Sequence, residues 1–224
     1  MMFHSARRAP RGSQKRDSGA LPTTIWLPRP EQSRVAPAPG AVLPDWAIEM
    51  IRTEFGERPG GRPATLLKVS IQQDLSPGSD ACMPCTSYAD AGDETTPGSA
   101  SVLLAELHPD ALPESSDALR VSERGMPGAM ENGWPGFFHR AHRLLPADGL
   151  LLLATRQRRD AGVLTDPLGS LVAAARTAGF RYLQHIVILY ARAVDDALAP
   201  APPGDAAPGV IHGDLLVLSA IHHS

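Results

Sequence analysis

Cysteine, lysine and aromatic residues are all scarce in this chain, and each shortage removes a class of structure. Two cysteines in 224 residues exclude a disulfide-dense scaffold. Their one spacing, Cys82-x-x-Cys85, is two ligands short of a structural zinc site and lacks the strand-to-helix setting of a redox motif, so no metal is expected. No run approaches the ~20 apolar residues of a membrane span, and no signal-type apolar segment follows the first residues, which predicts a cytoplasmic protein with no membrane partner. No glycine-rich loop of the kind that cradles phosphates or nucleosides is present. Lysine occurs twice against nineteen arginines, a bias of GC-rich bacterial coding, and a net charge of −3 gives no bulk attraction to nucleic acid.

What is present suffices for one core. Hydrophobic residues make up 43% of the chain, and the 22 prolines and 20 glycines fall mostly between the periodic segments. The expected organisation is a disordered or extended arm over 1–40 and a single α/β domain over 41–224, with irregular loops at 72–99 and 195–209. Residues 1–20 hold five basic groups (Arg7, Arg8, Arg11, Lys15, Arg16) and one acidic group, which leaves the remainder at −7. A solvated tail, a nucleic-acid arm and a transit segment all stay open for it.

The most legible element is Leu150 to Leu153, which follows the turn Pro146-Ala147-Asp148-Gly149. An apolar run without alternation is the mark of a strand covered on both faces, so this strand should be central. Segments 65–71, 101–106, 185–190 and 214–219 read as further strands, the last two antiparallel because no crossover helix joins them. Helices are predicted after Pro44, ending near Gly56, and from Trp134 through Leu145. A third is capped by Asp166, starts at Pro167 and stops at Gly179.

The order strand, helix, leucine strand, helix, strand, loop, strand over 134–219 resembles the C-terminal half of class I S-adenosylmethionine-dependent methyltransferases. Leu144-Leu145-Pro146-Ala147-Asp148-Gly149-Leu150 looks like the turn before their fifth strand. Ala154-Thr155-Arg156, Asp166, Gly169, Ala178-Gly179 and His212-x-Asp214-Leu215-Leu216 are similar to bacterial DNA or tRNA amino-methylase-like proteins. The resemblance implies a truncated Rossmann-like sheet of about five strands ending in an antiparallel hairpin. The chain departs from the family at its chemistry. Val69-Ser70-Ile71-Gln72-Gln73-Asp74 stands where the family has an acidic residue and a glycine-rich turn. Leu107-His108-Pro109-Asp110 keeps one proline of the family's polar-Pro-Pro-aromatic motif.

The candidate chemical residues are few. Glu106 and His108, past the end of a strand, are the weak candidates for an acid/base pair, beside the plainer reading of a strand-end loop. Arg156, Arg158 and Arg159 are weak candidates for phosphate contacts, beside a solvated loop. His139 and His142, three apart on a helix, lack a carboxylate to complete a metal set, and His222-His223 reads as a solvated end. The expected function is a degenerate, catalytically inactive methyltransferase-like domain, a pseudoenzyme with a binding or regulatory role and no cofactor. A weak nucleic-acid or protein partner is possible. The alternative is an active, divergent enzyme that uses S-adenosylmethionine on nucleic acid.

Overall fold

The computed structural model describes residues 23–32, 35–38, 40–58, 62–73, 84–89, 100–108, 134–160, 163–204 and 209–222. Its elements in chain order are β1 (Thr23–Trp26), α1 (Asp45–Phe55), β2 (Glu57–Arg58), β3 (Arg62–Pro63), β4 (Leu66–Gln73), β5 (Pro84–Ala89) and β6 (Val102–Leu107). They continue as α2 (Trp134–Leu144), β7 (Leu150–Thr155), β8 (Arg158–Asp160), β9 (Val163–Thr165), α3 (Leu168–Thr177), β10 (Phe180–Leu189), β11 (Ala191–Val194), β12 (Ala197–Pro200) and β13 (His212–Ala220).

Seven strands form one sheet in the order β1-β10-β13-β7-β6-β4-β5. β4, β6 and β7 are mutually parallel, and β1 is parallel to β10. β13 is antiparallel to both β7 and β10, and β5 is antiparallel to β4. Five of the seven strands therefore point one way, and the sheet is Rossmann-like with an antiparallel strand wedged beside its centre. The leucine strand is fourth of the seven, with the predicted bounds. Leu151 and Leu153 join the cluster under α2 and α3, and Leu152 and Ala154 join the cluster under α1. The run is apolar because no residue of it has a solvent face.

β13 repeats the pattern. Leu215 and Val217 face α1, while Leu216, Leu218 and Ala220 face α2 and α3. β10, next outward, alternates instead: Ile186, Ile188 and Tyr190 are buried, while His185, Val187 and Leu189 are half-buried. On its α2/α3 side this part of the sheet is partly open.

The helices follow their sequence signals closely. Pro44 precedes α1, which ends at Gly56 and buries Trp46, Ala47 and Ile51. Met50, one position before Ile51, is half-buried. α2 buries Phe137, Phe138 and Ala141. α3 starts at Leu168, one residue later than predicted, and Asp166 Oδ1 accepts from the Leu168 N–H at 3.0 Å. Gly179 turns the chain at φ 96°, and a side chain there would meet the His142 ring, 2.8 Å from Nε2. Glycine is needed at that position for both reasons.

Three sequence expectations are corrected. The sheet has seven strands, because Thr23–Trp26 adds an edge beside β10 and Pro84–Ala89 adds the other beside β4. The 72–99 stretch therefore contains strand at both ends of what is described. Pairing with β4 supplies β5 with a register that its Pro-Cys-Thr-Ser sequence does not announce. The 195–209 loop includes β12, which pairs with β11, and two further small ribbons pair Arg158–Asp160 with Val163–Thr165 and β2 with β3.

Candidate functional site

Glu106 and His108 stand at the carboxyl end of β6 and Arg156 just past that of β7, and alternation along the strands sorts them. Even-numbered positions of β6 and β7 face α1. Glu106 lies there, 5% exposed, at the end of an otherwise apolar strand. Its Oε2 accepts from the backbone N–H groups of Val42 and Leu43, each at 3.0 Å, and Lys68 Nζ lies 2.7 Å from Oε1. A buried carboxylate needs this kind of compensation, since its desolvation is otherwise far costlier than one ion pair returns. The Tyr190 hydroxyl donates to Val42 O at 2.8 Å, and Trp46 Nε1 donates to Val35 O at 3.0 Å. Val42 and Leu43 are thereby fastened to the sheet by three side-chain hydrogen bonds, and Val35 to α1 by a fourth.

His108 and Arg156 come together next to this cluster, with Arg156 Nη2 3.3 Å from His108 Nε2. Arg156 is 3% exposed, so it is no solvated loop residue. Glu106 and His108 thus belong to two different sets of contacts. Arg158 and Arg159 lie on β8; their side chains, like residues 1–22, Cys82 and His223, lie outside what is described. Cys85 stands in β5 opposite Gln72.

A second polar cluster, with no role assigned from the sequence, faces α2 and α3. Asp214 and Thr155 are direct partners across β13 and β7, 1% and 0% exposed. Asp214 Oδ1 lies 2.8 Å from His185 Nε2 and 3.8 Å from His212 Nε2. Because a carboxylate only accepts, the short contact places the His185 proton on Nε2 when the ring is neutral and leaves Nδ1 as the basic nitrogen. Asp214 Oδ2 and Thr155 Oγ1 are buried without a hydrogen-bond partner among the described residues. The signal available for this pair was a polar residue at the edge of an apolar run in each strand; the pairing itself depends on register.

His142 and His222 are held in contacts of their own. His142 Nε2 lies 2.9 Å from Ile221 O, and its ring stacks on His222 at 4.3 Å and meets Phe180 edge-on. Among the described residues no group of three His, Cys, Asp or Glu side chains converges to hold a metal ion, and no helix is long and apolar enough to cross a membrane.

No protein-family model matches the chain, and no curated protein matches it in sequence. Solved structures do. The putative DNA modification methylase TTHA0409 from Thermus thermophilus, complexed with S-adenosyl-L-methionine, superposes with a TM-score of 0.36 and 14% identity over 55% of this chain and 48% of that one. Its selenomethionine derivative gives 0.35 and 14% over 55% and 46%. The antibiotic-resistance methyltransferase Kmr gives 0.24 and 21% over 58% and 54%. This chain thus spans about half the length of the proteins it matches, and at these scores the fold rests on the strand order and directions above. Over that half the chain is similar to solved methyltransferases.

Proposed function

We propose that this chain is a methyltransferase-like domain that acts by binding and does not transfer methyl groups. The observation that carries the reading is the environment of Glu106. Ligands of open α/β sheets bind outside the carboxyl ends of the strands where the connections diverge. Here that point lies between β4, which leads to β5, and β6, which leads to β7. The carboxylate nearest it is bonded on both oxygens by the chain's own Lys68, Val42 and Leu43. A cofactor using this acidic group would have to displace a buried ion pair and two backbone hydrogen bonds. The glycine-free Ser70-Ile71-Gln72-Gln73 supports the same reading, since close approach of a cofactor to the backbone favours residues without side chains.

Isothermal titration with S-adenosylmethionine tests it. The expected result is no saturable heat up to millimolar ligand, an affinity weaker than about −4 kcal/mol. Micromolar binding would overturn the reading in favour of a divergent active enzyme, and transfer of labelled methyl groups to DNA or tRNA would then be the next measurement.

A further inference from the structure

A cavity of about 320 Å³ lies between α1 and the first half of β4. Ile48, Ile51 and Phe55 of α1 form one wall, and Leu66 and Leu104 form the sheet side, with Ala64 at one end. Its remaining side chains are Arg52 and Lys68; among the described residues no carboxylate lines it. α1 packs its buried stripe over β6, β7 and β13, so the α1-facing Leu66 of β4 is left partly exposed beside the helix. The space is at the small end of the range for ligand pockets and holds roughly ten non-hydrogen atoms.

We propose that this groove binds a small amphiphile, with an apolar body against Ile48, Phe55 and Leu66 and a carboxylate or phosphate head between Arg52 and Lys68. The charge of the head follows from the lining, which is cationic wherever it is polar. Arg52 pairs with Glu49 at 2.6 Å, but both side chains are more than half exposed, and such a pair is weak enough for an entering anion to replace. Lys68 offers one of its three N–H donors to Glu106. The Glu106 charge behind it is already countered by that ammonium and by two backbone N–H groups. The groove shares Lys68 with the Glu106 contact, whereas Ile48, Arg52, Phe55 and Leu66 take no part in it, so loss of amphiphile binding in Arg52→Gln tests the groove separately from S-adenosylmethionine binding.

Octanoate, octyl phosphate and octanol share one apolar body and differ in the head, so they separate the two contributions. Each is titrated into the full chain while the methyl signals of Ile48, Ile51, Leu66 and Leu104 are followed by NMR. Both anions should shift these signals saturably, octanol should bind about tenfold more weakly, and the tighter anion identifies the preferred head. Arg52→Gln should weaken the anions several-fold and leave octanol unchanged. Ala64→Phe should fill the cavity and abolish all three interactions; if that variant does not fold, the exposed Arg52 substitution still decides. Equal affinity for octanol and octanoate, shifts confined to other methyls, or no saturation with any probe would overturn the proposal.

Discussion

The hydroxyl of Tyr190, just past the end of β10, occupies the space in which a side chain on Gly213 of β13 would begin: a methyl group there would collide with the phenol oxygen. The same hydroxyl donates to Val42 O, so the glycine admits the tyrosine that fastens the segment before α1. Gly213→Ala is therefore expected to destabilise the fold by ~1–3 kcal/mol in urea unfolding. Tyr190→Phe should cost about 1 kcal/mol for the lost hydrogen bond. The double variant should cost less than the sum of the two, because the clash disappears with the oxygen.

Glu106→Ala should lower stability by ~3–5 kcal/mol, since it leaves a half-buried ammonium and two backbone donors without their acceptor. A residue serving only chemistry would leave unfolding unchanged, so a neutral result in thermal and urea denaturation would contradict the structural role given to it here.

At Thr155 the opposite sign is expected. Its hydroxyl is buried with no partner among the described residues, and valine has nearly the same shape. Thr155→Val should thus be neutral or stabilising by up to ~1–2 kcal/mol, whereas an unseen hydrogen bond from that oxygen would make it clearly destabilising.

Burial pushes the Tyr182 hydroxyl above its ordinary value of 10. The folded state thus prefers the neutral phenol, and the associated stability is fully present below that value. It is lost as pH rises through the higher, folded-state value. Stability measured across that alkaline window should fall less steeply in Tyr182→Phe than in the parent chain.

Of the arginines after the central strand, Arg156 is buried. Arg156→Ala should reduce stability by ~1–2 kcal/mol, because the part-buried contact with His108 is lost. If the chain binds oligonucleotides at low salt, replacing Arg158 and Arg159 should flatten the salt dependence. Unchanged salt dependence in that double variant would turn the search towards a protein partner.

The sequence exposed the parts of this fold in which local signals and burial agree. Leu150–Leu153 was legible because a strand covered on both faces leaves no polar positions, and α3 because its capping Asp166, buried Leu171 and Ala175, and Gly179 all mark the same helix. β5 and the three ribbons were not, since their registers come from neighbouring strands and not from an alternation of their own. Part of the site was visible, as Glu106 is a charged residue closing an apolar strand. Its partners were not: Val42 and Leu43 contribute backbone N–H groups from 64 and 63 positions away, and nothing in side-chain type announces a backbone donor. Thr155 and Asp214 likewise meet only through the register of β7 with β13.

The position of β13 has a consequence for how the protein is made. The strand that joins β7 to β10 is also the latest of the sheet to leave the ribosome, so until Ala220 has emerged the chain holds two unjoined pieces, β5-β4-β6-β7 and β10-β1. Each piece would present an unpaired edge with apolar residues, Leu150–Ala154 on one and Ile186–Ile188 on the other, during synthesis of everything between Leu189 and His212. Yield in the cell should accordingly depend on how quickly that last stretch is translated and on chaperones that shield strand edges, more than on the equilibrium stability of the finished sheet.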